Sequence, residues 1–386
     1  MRTVTAIEVL TANLPFRFSF GHALAERSET TNVYVRLTLD DGSVGFGEGV
    51  PREYVTGETL EAATSALTGR YGPALVGREL ASLEDVSHAV DEATADDGEL
   101  APSARCALEL ALLDAAGHAF GRPAADVLTA ERAGVVHYDA VIPFTSPKKL
   151  VAIALAVRAL GIRQLKVKVG DDPEHDDRTL RLLRRLLGRG VDVRVDANCA
   201  WTNAEQALRA IEQLRRRQIS AVEQPLPGED FEGMCRVTAE TPELIIADES
   251  LRTPEEARAL ASERGCDAFN IRVSKCGGLL RSMQIARIAR EHGLVNVVGA
   301  QVGESGILSA AGRHLAAAIG DPRYVEGSAG RLLLKEDLTE ENVLPGRRGR
   351  ATPFAGPGLG VHVRENLLRA RGRVEVLLEA SPVEAV

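Results

Sequence analysis

Three things are missing from this chain: a basic tract, a paired-cysteine motif and a long apolar run. Each absence removes a class of function. Net charge is -9, with 55 acidic against 46 basic residues, so no electrostatic footprint for nucleic acid is present. The five cysteines (Cys106, Cys199, Cys235, Cys266, Cys276) are scattered and odd in number. Without a C-x-x-C pair they indicate neither a zinc ribbon nor a disulfide framework, and a reducing cytoplasmic setting is expected. No uninterrupted apolar run approaches the roughly 20 residues of a membrane span. The stretch from Met1 to Glu8 holds no apolar core of signal-peptide length. Neither a nucleic-acid nor a membrane partner is expected.

What is present is an ordinary globular composition, 45% hydrophobic and 26% charged over 386 residues. That length exceeds what one core usually serves, so two domains are expected. The first 50 residues read as an antiparallel sheet. Thr3–Leu14 is one strand region, Asn32–Leu39 alternates strongly, Asp40-Asp41-Gly42 supplies a turn, and Val44–Glu48 returns. Between the first two strands, residues 15–31 are polar and charged and read as a long loop; a second loop spans 48–58. Loops of that length in a compact domain are more often functional than idle. Residues 59–120 are helical by period, most clearly Ser103–Phe120, which stops at Gly121-Arg122-Pro123.

From Val135 onward, strands alternate with amphipathic helices, the pattern of βα units and a parallel sheet. A strand around Val136–Pro143 opens the series, and strands at Leu294–Ala300 and Arg323–Val325 close it, for eight in all. The five between end in polar or charged residues, with key positions at Lys168, Asp196, Glu223, Asp248 and Lys275. Their spacings are 28, 27, 25 and 27 residues. That is one strand-plus-helix unit of an α/β barrel, which takes about 250 residues for eight units. Polar residues recurring at strand ends in that fold open onto one face and read as catalytic. The expected organisation is a (β/α) barrel, a modified TIM barrel, over residues 131–352, with an α+β capping domain at 1–130. The tail 353–386 is expected to pack back on that cap.

Lys166 and Lys168 are two apart on a strand and share a face, as do Asp196 and Asn198. Two buried ammonium groups lower each other's proton affinity. Asp196, Glu223 and Asp248 would repel one another unless a cation held them. Oxygen-only ligands from successive strands suit Mg²⁺, a hard ion that leaves positions open for water or substrate. The bland alternative is a set of ordinary surface charges at strand ends; near-constant spacing beside small or apolar neighbours argues against it.

As an ordered set, these motifs resemble the enolase superfamily, and within it the muconate-lactonizing subgroup. They are Lys-Val-Lys at 166–168, Asp-Ala-Asn at 196–198, Glu-Gln-Pro at 223–225, Ala-Asp-Glu-Ser at 247–250 and Ser-Lys-Cys-Gly-Gly at 274–278. Gly-Phe-Gly-Glu at 45–48, Ala107–Gly117 and Pro-Gly-Leu-Gly at 357–360 support the match, which covers nearly the whole chain. The resemblance implies that Asp196, Glu223 and Asp248 bind Mg²⁺, with Mn²⁺ as the alternative ion. It implies that Lys168 and Lys275 are acid/base residues on opposite faces of a small-molecule carboxylate, with Lys166 auxiliary. Asn198, Glu249 and Glu304 are expected beside them. Such a site removes the proton α to a carboxylate, with a metal to stabilise the enediolate and a lysine of tuned affinity as the base. Relatives include octamers and dimers, so a homo-oligomer is compatible with the resemblance.

Within the subgroup, the loops at 15–31 and 51–58 resemble those of dipeptide epimerases, which places Arg27 and Thr56 against the substrate. After strand eight, Glu326-Gly327-Ser328 stands where those enzymes carry Asp-x-Asp, so Glu326 and Ser328 are expected to set specificity. The expected reaction is epimerisation or racemisation of a dipeptide or N-acyl amino acid. A muconate-type cycloisomerase or o-succinylbenzoate synthase is the alternative. A catalytically silent barrel is the alternative of another class, opposed by the intact set of two lysines and three carboxylates.

Overall fold

The computed structural model describes residues 1–22, 25–95, 101–170 and 172–380, with backbone alone at 20–22 and 25–26. Among the described residues, eight parallel strands follow chain order round one curled sheet. They are Ala140–Ile142, Gln164–Lys168, Asp192–Asp196, Ala221–Glu223, Leu244–Ala247, Ala268–Arg272, Val295–Gly299 and Tyr324–Val325. One principal helix lies between each consecutive pair, from Pro147–Leu160 to Gly306–Ile319. Their starts follow sequence rules. Asp172, Asn203, Asp230 and Thr253 each cap a helix with a side-chain oxygen, and Thr253 with Glu256 forms a capping box. The Asp139 N–H donates to the Val325 carbonyl at 2.8 Å, tying the approach to the first strand to the eighth.

Two expectations need correction. Val136–His137 does not enter the barrel; it pairs antiparallel with Arg350–Ala351, and the first barrel strand is only Ala140–Ile142. The described part of residues 15–31, all but 23 and 24, is not a loop. The strands Arg2–His22 and Ala25–Leu39 continue through them as a paired hairpin, with a register irregularity between Pro15 and Phe20. The alternation of Phe16, Phe18 and Phe20 carries a strand period beneath the charge. Phe16 is buried and bridges to Leu334.

The hairpin strands belong to an antiparallel sheet ordered Gly372–Glu379, Arg2–His22, Ala25–Leu39, Val44–Gly49. Against the last of these packs the helix Pro102–Phe120, whose residues 102–117 are all buried. The contact is backbone on backbone. A Cβ on Gly45, Gly47 or Gly49 would stand 1.9–2.3 Å from main-chain atoms of Ala115, Ala107 or Ser103. Glycine every second residue on a strand faces small residues every fourth residue on a helix, so the two periods mesh. Glu58 starts that helix, accepting from the Ser103 N–H at 3.0 Å and the Ala104 N–H at 3.4 Å. No helix among the described residues is long and apolar enough to cross a membrane.

Gly47→Val should destabilise the protein by at least about 3 kcal/mol, because the branched Cβ cannot be seated without parting sheet from helix. Gly69→Ala, at a helical position with open space around it, should be neutral or stabilising by roughly 1 kcal/mol. Denaturant unfolding of both variants checks the pair. Burial pushes the Glu58 carboxyl up to about 7. The native state therefore holds that proton more tightly than the unfolded chain. Stability from this group is greatest below its ordinary value of 4.5 and declines as pH rises from there to about 7. Glu58→Gln should flatten that decline in a series of melting temperatures against pH.

Candidate active site

Inward-facing residues alternate along the barrel strands, so the interior is layered. The lower layer is apolar: Ala221, Ile246, Ala268, Val297 and Tyr324 pack together. Two residues further along most of the same strands come Glu223, Asp248, Asn270, Gly299 and Glu326, and the layer turns polar and charged. Gly299 is glycine because the Asn270 amide fills its place, at 2.1 Å from where a Cβ would be. Strand register sets Lys166 beside Arg194, and Lys168, Asp196 and Glu223 in one row.

Lys166 is buried and lies 3.1 Å from Asp196 Oδ2, 3.0 Å from Glu223 Oε1 and 2.7 Å from Glu326 Oε2. Burial opposes its charge, but Glu223, Glu326 and Asp196 together raise its pKa above that of an ordinary lysine. Lys168 donates to Asp196 Oδ2 at 2.7 Å and to Asn198 Oδ1 at 2.5 Å. Against the pull of burial, Lys168 and Lys166 hold the Asp196 carboxyl far below the usual range. Asn198 in turn donates to Glu249 Oε1 at 3.2 Å. Burial and the nearby Asp196 charge push Glu249 up to about 7. Lys275 is fully enclosed. Its amine donates to the Asp248 carbonyl (2.5 Å), Asp248 Oδ1 (2.9 Å) and the Asn270 carbonyl (3.0 Å). Burial lowers its pKa to about 8, and Arg272 adds to the effect.

A cavity opens at the C-terminal ends of the strands, lined by Lys166, Lys168, Asn198, Glu249, Arg272, Glu304, Glu326 and Ser328. Arg52, and Tyr54 and Val55 of the short helix Glu53–Thr56 that follows the strand Val44–Gly49, line it as well. The hairpin base reaches the same mouth: Asn32 donates to the Gly303 carbonyl at 3.0 Å, and Arg17 to the Lys335 carbonyl at 3.0 Å. A second cleft, near Gln164, Arg290 and Arg323, lies at the opposite end of the strands and carries none of these groups.

Not every expected residue faces the cavity. Asp196, Glu223 and Asp248 lie beneath its wall, fully buried, and the Lys275 amine is turned onto Asp248. Arg27 stacks over the Tyr54 ring, 5.5 Å from its centre, outside the cavity lining. Thr56 is buried and spends its hydroxyl on the Arg52 carbonyl at 3.2 Å. Ser328 lines the cavity, with its hydroxyl donating to Tyr138 at 3.0 Å. Glu304 lines the cavity too; burial pushes its carboxyl up to about 8, and its Oε1 accepts from the Gln301 N–H at 2.6 Å. Glu326 is paired with both Lys166 and Arg194.

Two guanidinium groups were not anticipated. Arg194 is wholly buried, ion-paired with Asp139 and Glu326, and lies over the Tyr324 ring at 4.3 Å. Arg272 pairs with Asp248 Oδ2 and lies 3.9 Å from both Glu223 and Glu249. The period of two would have found them, since Arg194 precedes Asp196 by two and Arg272 follows Asn270 by two.

The three acids suit a hard divalent ion by chemistry, as oxygen-only donors from successive strands. Among the described residues, none donates a hydrogen bond to the buried Glu223 Oε2 or Asp248 Oδ2, although guanidinium groups face them. Lys166 bridges Asp196 and Glu223, and Arg272 pairs with Asp248, so positive charge already stands among the three.

Comparison with known proteins agrees with this architecture. Residues 1–129 match the mandelate racemase / muconate lactonizing enzyme N-terminal domain, and residues 149–367 match the enolase C-terminal domain-like family. An L-Lys-D/L-Arg epimerase from Methylococcus capsulatus is 34% identical, over 93% of this chain and 98% of its own. The crystal structure of an N-succinyl Arg/Lys racemase from Bacillus cereus superposes with a TM-score of 0.89 at 26% identity, covering 98% of this chain and all of that one. A dipeptide epimerase from Enterococcus faecalis, complexed with Mg and L-Leu-L-Tyr, superposes with a TM-score of 0.83 at 27% identity, covering 93% and 99%. The chain thus belongs to the mandelate racemase / muconate lactonizing enzyme family of the enolase superfamily, as one of its isomerases.

Proposed function

We propose that this isomerase is a Mg²⁺-dependent racemase or epimerase that removes and returns the proton α to the carboxylate of an N-acyl amino acid or dipeptide. The observation that carries the reading is the strand-end cavity where Lys168 stands between Asp196 and Asn198, with the charged Lys166 directly below. Relatives that racemise N-succinyl amino acids or epimerise dipeptides support it. In this reading residues 1–130, with the tail from 353, cap a barrel of residues 131–352 and keep water from the reacting carbon.

Asp196, Glu223 and Asp248 are the residues that would hold the ion, with Mn²⁺ as an alternative to Mg²⁺. When bound, it withdraws charge from the substrate carboxylate and makes the α-proton more acidic. Asn198 accepts from the Lys168 amine and so fixes its direction; Glu249 accepts from Asn198 and fixes that amide. Lys168 takes the proton on one face of the α-carbon and Lys275 serves the other. Lys166, enclosed by three carboxylates, keeps its proton and acts as a fixed positive charge. Burial keeps Lys275 closer to its neutral form than a surface lysine, which suits a base.

The N-acyl class is favoured over α-dipeptides. Glu326, the carboxylate after strand eight, is already neutralised by Lys166 and Arg194 and has no charge to spare for a substrate ammonium. A second reading, a cycloisomerase with one working lysine, draws support from the Lys275 amine lying on Asp248 and not on the cavity wall.

Mg²⁺ should raise the melting temperature of the wild type, and chelation should abolish turnover. Asp248→Asn should lose both responses; a variant that kept full metal-dependent stabilisation would remove Asp248 from the ligand set. In D₂O with Mg²⁺, wild type should place deuterium at the α-carbon of either enantiomer of an N-acyl amino acid. Lys168→Ala and Lys275→Ala should each lose net racemisation by about 10²–10⁴-fold. Any residual exchange should favour opposite enantiomers, read by mass spectrometry and chiral separation. A Lys275→Ala enzyme that racemised normally would refute the two-base reading, and ring closure of a muconate without exchange would favour the second.

A further inference from the structure

Lys275 is followed by Cys276-Gly277-Gly278 and then the helix Leu279–Glu291. This turn is gripped from outside the barrel. Arg105, in the helix Pro102–Phe120, donates to the Gly277 carbonyl. Four residues on, Glu109 Oε1 accepts from the Leu280 N–H at 3.0 Å, at the start of the barrel helix. The two side chains are buried and joined at 2.7 Å, and Arg105 is braced behind by Asp91 at 2.6 Å. On the other flank, the Val50 N–H donates to Ser274 Oγ at 2.8 Å. The residues on either side of Lys275 are therefore held by the N-terminal half of the chain.

The glycines record the same fit. A Cβ on Gly278 would lie 2.4 Å from Glu109 Oε1, and Gly278 has φ +112. Gly277 has φ +80, with Arg105 and Arg281 packed against it. A carboxylate facing the free N–H groups of a helix start is favourable in charge as well as in hydrogen bonding. Among the described residues, Lys168 has no such outside support. Its partners Asp196 and Asn198 are barrel residues, and the adjoining turn is tied by the Gly170 N–H to Asp176 at 2.8 Å, also within the barrel.

We infer that Glu109, acting with Arg105, is a positioning residue for Lys275 and not for Lys168. The N-terminal half thus sets the geometry of one of the two proton-transfer lysines. The catalytic consequence rests on the two-lysine reading above; the mechanical one does not. Glu109 touches no substrate and acts only through the turn.

Glu109→Gln, which keeps the shape and removes the charge, tests this in the full-length protein. Amide hydrogen exchange should speed up in the segment 276–282 by about ten-fold or more, while the segments 166–172 and 305–310 keep wild-type rates. Unchanged exchange in 276–282, or equal acceleration in all three segments, would overturn the inference. With N-succinyl-L-lysine and N-succinyl-D-lysine in D₂O, exchange should fall by about 10²-fold for the enantiomer that Lys275→Ala abolishes, because a small misplacement of a base is costly. The other enantiomer should keep its wild-type rate, and an equal loss for both would again overturn the inference. A general loosening of the fold would depress both. If wild type exchanges neither enantiomer, the proton-transfer reading fails for this substrate, and the amide exchange alone decides the positioning role. Should Glu109→Gln not fold, Glu109→Asp retains the charge beside Arg105 but withdraws it from Leu280. It should show the same local asymmetry, and its absence would count against the inference.

Discussion

Charge balance inside a nearly dry barrel is the constraint on which the site depends. Four cations (Lys166, Arg194, Arg272, Lys275) and five acids (Asp139, Asp196, Glu223, Asp248, Glu326) meet within the sheet. No member of such a set could be buried alone, since an unpaired charge in that medium costs several kcal/mol. The pairing therefore decides which groups are chemically free. Lys166 is held among Asp196, Glu223 and Glu326, and Glu326 is shared between Lys166 and Arg194. Lys275 is left with a lowered proton affinity, and Lys168 remains at the cavity wall with a fixed amide beside it. A cluster held near neutrality by mutual contacts also explains why the apolar layer below is so complete: it keeps water from screening the set.

Much of this could be read along the chain. Five of the eight strand ends announced themselves as polar residues closing apolar runs, and their interval of about 27 residues reported one βα unit. The ordered motifs located the lysines and acids, and the glycines of 45–49 could be paired with the alanines of 107–115 by their matching periods. Other features were hidden for physical reasons. Arg194 lies inside its strand, two residues before Asp196, and Arg272 closes its strand three residues before Lys275, so only the period of two, not the strand-end pattern alone, points to them. Residues 15–31 are charged enough to suggest a loop, and only the alternating phenylalanines betray the hairpin. The direction of the Lys275 amine depends on the carboxylate and carbonyl of Asp248, 27 residues away, as well as on the nearby Asn270 carbonyl, so a local pattern does not report it. Thr56 and Arg27 stand near the mouth in sequence terms, yet short-range contacts with Arg52 and Tyr54 take up their side chains.

The antiparallel sheet and the barrel are joined through buried carboxylates as well as through a shared apolar core. Glu48 accepts from the Ser305 N–H at 3.0 Å and the Leu308 N–H at 3.2 Å, at the start of the helix after strand seven. Glu109 does the same for the helix after strand six. Each acid meets the positive end of a helix dipole in a place closed to solvent, where the interaction is worth more than at a surface. Two neighbouring barrel units thus have their active ends set by another part of the molecule.

The strand Gly372–Glu379 lies beside Arg2–His22, with Leu10 opposite Val374. The whole barrel intervenes between these two strands in sequence. During synthesis the barrel units emerge before this partner does, so one edge of Arg2–His22 waits with its main-chain groups open until the barrel has been made. Such an edge invites pairing with other nascent chains. Completion of the sheet is thereby a long-range event that must follow synthesis of the barrel, and exposure of that edge on the ribosome is a hazard for expression to manage.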